Sequence, residues 1–432
     1  MMDGYMMSEG LRRELTFFDA VSLVIGTIVG ADIYIVAAYG AGSLGPASIL
    51  SWIIGGLMAM VLALVFSEAS AIMPRTGGPY SYAREALGEF AGFITGWSLW
   101  VSSWIAIAVF PVAFVYYISQ FIGLSPTAEA LIKVIFILSL TAINISCVGR
   151  AGKVNDVLTV LKVAPLILLV VTGILRFIWD PSGLLSGYTP FAPMGLGALG
   201  SVTVLVFWAY VGFELVTVPA GEVKNPGRII PLAIIIGMVF VMVFYLLTNF
   251  VILGLVPWGV LASSPAPLTL AGYSALGGAG ALILTLGALI SIAGSEEAGM
   301  LTTARLLHVM SLDGFLPGWL SRIHPRFRTP HLSILVQNLT ALVAALTGTA
   351  AGLIELSVLT LLLAYMSTCV SLPVLRRRRY RDAGVPLKSI LGVLICLYLL
   401  ANTGTGTILA GSLLIVAGVP IYLRYRRRNQ NL

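Results

Sequence analysis

Five acids lie in or near long apolar stretches, where a carboxylate is expensive: Asp32, Glu214, Glu296, Glu297 and Glu355. An ionisable group at membrane depth costs about 2.5–3.5 kcal/mol on insertion scales, so it usually faces a cavity or a partner. Two of the five share a setting. Val29-Gly30-Ala31-Asp32 and Val211-Gly212-Phe213-Glu214 both read Val-Gly-x-acid in the middle of an apolar run. A helix that unwinds at such a point frees amides and carbonyls from their i→i−4 partners, and glycine permits the break. Freed amides at a helix N-terminus can receive a ligand carboxylate, aided by the dipole. Freed carbonyls can receive an ammonium. A bare cation is a third reading, with oxygens from Asp32, Thr27 and the broken backbone. The bland alternative is that both glycines only let helices pack closely.

This is binding chemistry, and bond-making chemistry finds little support. No nucleophile–base pair stands out. Cys147, Cys369 and Cys396 show neither disulfide nor metal spacing, and His308, His324 and His331 are read as one loop region. Neither a metal nor a cofactor is expected. One base lies deep: Lys162 in "NDVLTVLKVAPLILLVV", about a turn and a half inside its helix and too deep to snorkel easily. It could exchange a proton, hold a permanent salt bridge to Glu296 or Glu297, or line a vestibule. Trp97, Trp100 and Trp104 recur at roughly helical spacing and read as core, while Ser102 and Ser103 on the same helix could hydrogen-bond a ligand.

The elements that must carry these residues are membrane helices. Of 432 residues, 58% are hydrophobic and only 10% charged, with a mean hydropathy of +0.99. A soluble core cannot hide that much apolar sequence. Twelve segments of spanning length are read, at 17–39, 46–73, 89–121, 126–148, 154–178, 196–220, 229–256, 277–305, 331–349, 352–374, 387–403 and 405–424. Pro165 and Pro219 are expected to kink their helices. No cleavable signal peptide is read at the start of the chain.

Charge sets the orientation. Arg12 and Arg13 lie in the N-terminal tail, and further Lys and Arg fall in alternate loops: Arg75 and Arg84, Arg150 and Lys153, Lys224 and Arg228, Arg305 to Arg328, and "RRRRYR". This pattern places both termini in the cytoplasm of a multi-pass plasma-membrane protein. The net charge of +7 is therefore a topology signal and not a nucleic-acid footprint. The two Val-Gly-x-acid elements open two five-helix halves, 17–178 and 196–374. Five is odd, so the second half enters from the opposite side. Matched interruptions in inverted halves point to a transporter's central site. Segment 1–16 is then an N-terminal tail, 387–424 an added helix pair and 425–432 a basic tail.

Four segments carry a resemblance. "IGTIVGADIY", "MPRTGGPYSYAREALG", "LVFWAYVGFELVTVPAGEVKNPGRIIP" and "TTARLLHVMSLDGFLPGWLSRIHPRFRTP" resemble, in order, motifs of the amino acid–polyamine–organocation permeases. The resemblance covers nearly the whole chain. It implies an all-α, leucine-transporter-type fold with broken helices 1 and 6, and alternating access between helices 1, 3, 6, 8 and sometimes 10. By matching position, Thr27 and Ile28 would offer carbonyls, and Gly30, Ala31 and Asp32 amides. Trp208 matches a helix-6 aromatic that covers substrate in some members, flanked by Phe207 and Tyr210. Gly212 is the second break, Ser103 a hydroxyl on helix 3, and Glu214 matches an acid thought to respond to protons. Lys162 matches a lysine whose ammonium sits where sodium binds in relatives, near the hydroxyls of Ser291 and Ser295.

Two positions depart from the family pattern. Asp32 stands where glycine or a small residue is usual, and Glu296 and Glu297 stand where most relatives are neutral. Asp32, Glu214 and one of the helix-8 acids are expected to form an acidic pocket that favours a cationic amine. The expectation is a secondary transporter of amino acids or related amines, using protons and embedded in lipid. A polyamine or amino-acid/amine exchanger, a potassium transporter and a membrane sensor on the same fold remain alternatives.

Overall fold

The computed structural model describes residues 15–120, 122–146, 151–380 and 384–429. Arg12, Arg13, Cys147 and Arg150 lie outside them. The helices are α1 (Phe17–Ile28), α2 (Ala31–Leu44), α3 (Ser48–Ile72), α4 (Pro79–Leu87), α5 (Glu89–Ser119), α6 (Pro126–Ser146), α7 (Ala151–Trp179), α8 (Pro181–Ser186), α9 (Leu199–Trp208), α10 (Pro226–Leu255), α11 (Trp258–Ala262), α12 (Pro267–Leu312), α13 (His331–Thr347), α14 (Ala350–Arg379), α15 (Leu387–Ala401), α16 (Thr405–Val416) and α17 (Gly418–Asn429). Among the described residues the only extended pairing is one isolated bridge, Leu15 to Val223. Among the described residues, nine stretches are long and apolar enough to cross a membrane, the first of which, Phe17–Ile72, joins α1, α2 and α3. His331–Thr347 and Leu387–Ala401 are shorter apolar helices.

Local sequence explains the boundaries that matter. Thr16 and Asp19 form a capping box at the start of α1: the Asp19 carboxylate accepts the Thr16 N–H at 2.6 Å, and the Thr16 hydroxyl accepts the Asp19 N–H at 3.4 Å. Two orphan amides are thereby satisfied, and α1 enters at a fixed point. Several expected spans are divided. The run 17–39 breaks at Val29 and Gly30, and the run 196–220 is α-helical only to Trp208. The run 277–305 is not itself divided: its first residue, Gly277, is the kink of a longer helix, at a φ of +66° that suits glycine. The run 405–424 is interrupted at Ala417.

Two smaller expectations are corrected. His308 lies inside α12 and His331 begins α13, so the three histidines do not share one loop. Pro219 kinks no helix; it precedes a short 3-10 turn, Ala220–Glu222.

The long helices α5 and α14 pack side by side, joined by hydroxyls. Ser98 donates to the Thr360 carbonyl. Ser102 donates to the Ser357 carbonyl at 2.9 Å and Ser357 to the Ser102 carbonyl at 3.1 Å. Between apolar helices, such bonds and small side chains supply contacts that lipid cannot. The charged loops are tied at one end of the bundle. Arg84 and Tyr80 of α4 reach Asp313 at 2.7 and 2.5 Å. Arg305 meets Glu222 at 2.8 Å, and Arg376 and Lys388 both meet Glu68 at 2.6 and 2.7 Å.

Candidate functional site

The two interruptions touch. α1 ends at Ile28 and α2 begins at Ala31, with Gly30 extended between them (φ −139°, ψ −141°). A Cβ on Gly30 would lie 3.1 Å from each of three groups: the Asp32 carboxylate, the Phe110 ring and the Ser295 side chain. α9 ends at Trp208, and Gly212, at φ +122°, leads into a 3-10 turn, Phe213–Thr217. A Cβ on Gly212 would lie 2.9 Å from the Thr27 carbonyl oxygen. The Thr27 hydroxyl in turn donates to the Gly212 carbonyl at 3.1 Å. Gly212 therefore serves a close approach of backbone to backbone, and Gly30 a close approach of three side chains to the backbone.

The two acids follow one pattern. Asp32 accepts the Gly30 N–H at 2.7 Å and the Tyr245 hydroxyl at 2.5 Å. Glu214 accepts the Gly212 N–H at 3.0 Å and the Tyr365 hydroxyl at 2.7 Å. Each carboxylate caps the break two residues before it and is held by a tyrosine from another helix, α10 or α14. The Tyr245 hydroxyl, whose one proton goes to Asp32, also lies 3.3 Å from the Ile28 carbonyl oxygen.

Lys162 stands behind the first break, 1% exposed. Its ammonium donates to the Gly26 carbonyl at 2.5 Å and to the Ser295 hydroxyl at 2.8 Å. Ser295 passes a bond on to the Val29 carbonyl at 2.6 Å, and Ser291 reaches the same carbonyl at 3.3 Å. Among the described residues no carboxylate lies within ion-pair distance of Lys162, so the salt bridge to Glu296 or Glu297 is absent. Nor does Lys162 line the central cavity.

That cavity holds about 630 Å³ of atom-free space, including the part open to solvent. Of the residues singled out in the sequence, Thr27, Ile28, Asp32 and Ser103 line it. Trp208, Gly212, Glu214 and Glu296 line it as well. Gly30, Ala31, Phe207 and Tyr210 do not. Tyr210 donates instead to the Trp52 carbonyl at 3.0 Å, and Phe207 packs edge-on against Tyr365. Trp208 and Phe110 both line the cavity, their ring centroids 6.3 Å apart. Glu296 is fully buried, and neither carboxylate oxygen has a hydrogen-bond partner. Glu297 is absent from the lining.

Sequence reasoning passed over Tyr245, Tyr365, Phe110 and Ser357. The one available signal was a tyrosine in each of two otherwise apolar helices, since a buried phenol needs a partner.

A family model described as amino acid permease matches residues 15–422. The chain belongs to the amino acid permease family. This permease is 28% identical to the branched-chain amino acid permease BcaP of Bacillus subtilis, over 98% of its own length and 95% of that protein. It is 30% identical to the methylthioribose transporter of the same organism (98% and 96% covered), and 29% identical to its serine/threonine exchanger SteT (97% and 98% covered). The permease is thus a multi-pass membrane transporter whose relatives are named for more than one substrate.

Proposed function

We propose that the permease carries amino acids or related amines across the plasma membrane by alternating access, coupled to protons. The cavity at the two touching helix breaks is the substrate site in this reading. The observation that carries it is the pair of breaks in direct contact, which form one wall of a cavity that also presents the unpartnered Glu296. Discontinuous helices supply polar backbone at membrane depth only where it lines a cavity or is buried in protein. The chain then folds as twelve spans, with five-helix inverted halves at 17–178 and 196–374 and an added pair at 387–424. Both termini, 1–16 and 425–432, face the cytoplasm.

Lys162 is the proposed proton carrier, with Glu214 as a second responsive group. While charged, Lys162 ties α7 to the last turn of α1 through the Gly26 carbonyl. Loss of a proton weakens that tie and lets α1 move. No cofactor takes part. The alkali-cation alternative would use the remaining lone pairs of Asp32, whose oxygens each accept one bond, from Gly30 and from Tyr245.

The test is uptake into proteoliposomes of a panel of labelled amino acids and amines, with and without an inward proton gradient. Saturable uptake that rises with the gradient is expected. Uptake no greater than in protein-free vesicles across the panel overturns the reading. The likeness to a serine/threonine exchanger favours a second version, in which substrate outside drives substrate out. Trans-stimulation without any response to pH would select it.

A further inference from the structure

The cavity is rich in acceptors, and several of its donors are already engaged. Among the described residues, three carboxylates line it, from Asp32, Glu214 and Glu296, and no lysine, arginine or histidine does. At the breaks, the Gly30 and Gly212 amides already donate to Asp32 and Glu214. The lining hydroxyls of Thr27, Ser102, Ser103, Ser295, Thr303 and Ser357 each donate to a backbone carbonyl. A ligand carboxylate entering this space would face three acids and would have to displace Asp32 to reach the Gly30 amide. Crowding a site with acceptors discriminates against an acceptor ligand as firmly as good contacts select a donor.

Glu296 is the exception among the three acids. Asp32 and Glu214 are each satisfied by an amide and a tyrosine. Glu296, on α12, has both oxygens buried and bonded to nothing. A buried polar group is stable only when a partner arrives. The partner that suits two free oxygens beside a cavity is a donor-rich cation.

We propose that the permease takes a small amine that lacks a carboxylate: Glu296 receives its nitrogen, and Asp32 fills the seat at the first break that a substrate carboxylate would need. This rests on the substrate site proposed above and narrows its chemistry. Asp32 is then a specificity residue that works by occupying the Gly30 amide, with Tyr245 as the positioning residue that holds it there.

Matched pairs test this in the purified full-length protein, by calorimetry or ligand-induced thermal shift. 3-Methylbutylamine is set against leucine, and 2-aminoethanol against serine; each pair differs only by the carboxylate. In the wild type at least one amine is expected to bind ten-fold or more tightly than its amino acid. Glu296→Gln is expected to weaken that amine at least ten-fold, while Asp32→Gly, which vacates the Gly30 amide, narrows the gap between the pair. If the wild type binds the amino acids as tightly as the amines, the proposal fails and the transporter reading stands. Amine affinity unchanged in Glu296→Gln also overturns it. If no member of either pair binds and none is taken up by proteoliposomes, the reading of the cavity as an amino-acid or amine site falls, and the proposal falls with it. The wild-type comparison needs no variant, so a poorly folding Asp32→Gly leaves the test intact.

Discussion

Gly212→Ala should disable the permease through backbone geometry alone. Gly212 has φ +122°, outside the range that L side chains adopt without strain. Holding alanine there costs of order 1–3 kcal/mol. The new Cβ would also lie 2.9 Å from the Thr27 oxygen and 3.0 Å from its carbonyl carbon. Both partners are backbone, so relief requires the two breaks to separate by a few tenths of an ångström. That movement strains the Thr27–Gly212 bond of 3.1 Å and the Gly212–Glu214 bond of 3.0 Å. Losing half of each would add about 1–2 kcal/mol. The total is about 2–5 kcal/mol. A chain of this length should then melt on the order of 5 °C lower, extending the trend with size, and uptake should fall more steeply because the cavity wall moves. The assay is a thermal melt in detergent beside proteoliposome uptake. Gly406→Ala is the control: it lies inside α16 with nothing within 4 Å of a Cβ, so alanine should leave the melt unchanged or raise it slightly. A Gly212→Ala protein that melts and transports like the wild type would refute the argument that the breaks depend on this contact.

Lys162→Met keeps the length of the side chain and removes the donor to Gly26 and Ser295; uptake should lose its dependence on pH, and a retained pH profile would rule out Lys162 as the proton carrier. Ser102→Ala and Ser357→Ala each remove one arm of the α5–α14 clasp. A double-mutant cycle in thermal stability should return a coupling of about 0.5–1.5 kcal/mol, against zero for two independent sites. Asp313→Asn removes the charge partner of Arg84 and the acceptor charge facing Tyr80. The Arg84 side chain is 30% exposed and the pair is partly screened, so stability should drop by no more than about 1 kcal/mol. Trypsin cleavage after Arg84 should nonetheless accelerate as α4 loosens.

Residue type and position made the breaks legible, because glycine two residues before an acid in an apolar run has few purposes. Asp32 was visible as an anomaly, but what it faces was not. Its partners are a backbone amide two residues away and Tyr245 on another helix, and no local pattern encodes that pairing. The same holds for Glu214 and Tyr365. The reading of one acidic pocket treated three carboxylates alike, whereas the structure leaves only Glu296 without partners. Lys162 could be recognised as deep from its apolar neighbours. Its placement against the Gly26 carbonyl, and apart from any acid, depends on how α7 crosses α1. Tyr210 and Phe207 flank Trp208 in sequence, yet they point elsewhere because the helix ends at Trp208 and the next residues turn. Ala417 was read through as part of a continuous span, since hydropathy registers composition and not φ.

The central claim is that the cavity at the two breaks is the path of the substrate. Ser103 lines that cavity from α5 and bonds only to the Leu99 carbonyl one turn back, so Ser103→Trp would fill the space without removing a tertiary hydrogen bond. Uptake of the best-transported substrate by wild-type and Ser103→Trp proteoliposomes, matched for protein content and melting temperature, tests the claim directly. The account predicts saturable uptake in the wild type and uptake at the level of protein-free vesicles in the variant. A folded Ser103→Trp protein that transports at the wild-type rate would contradict it.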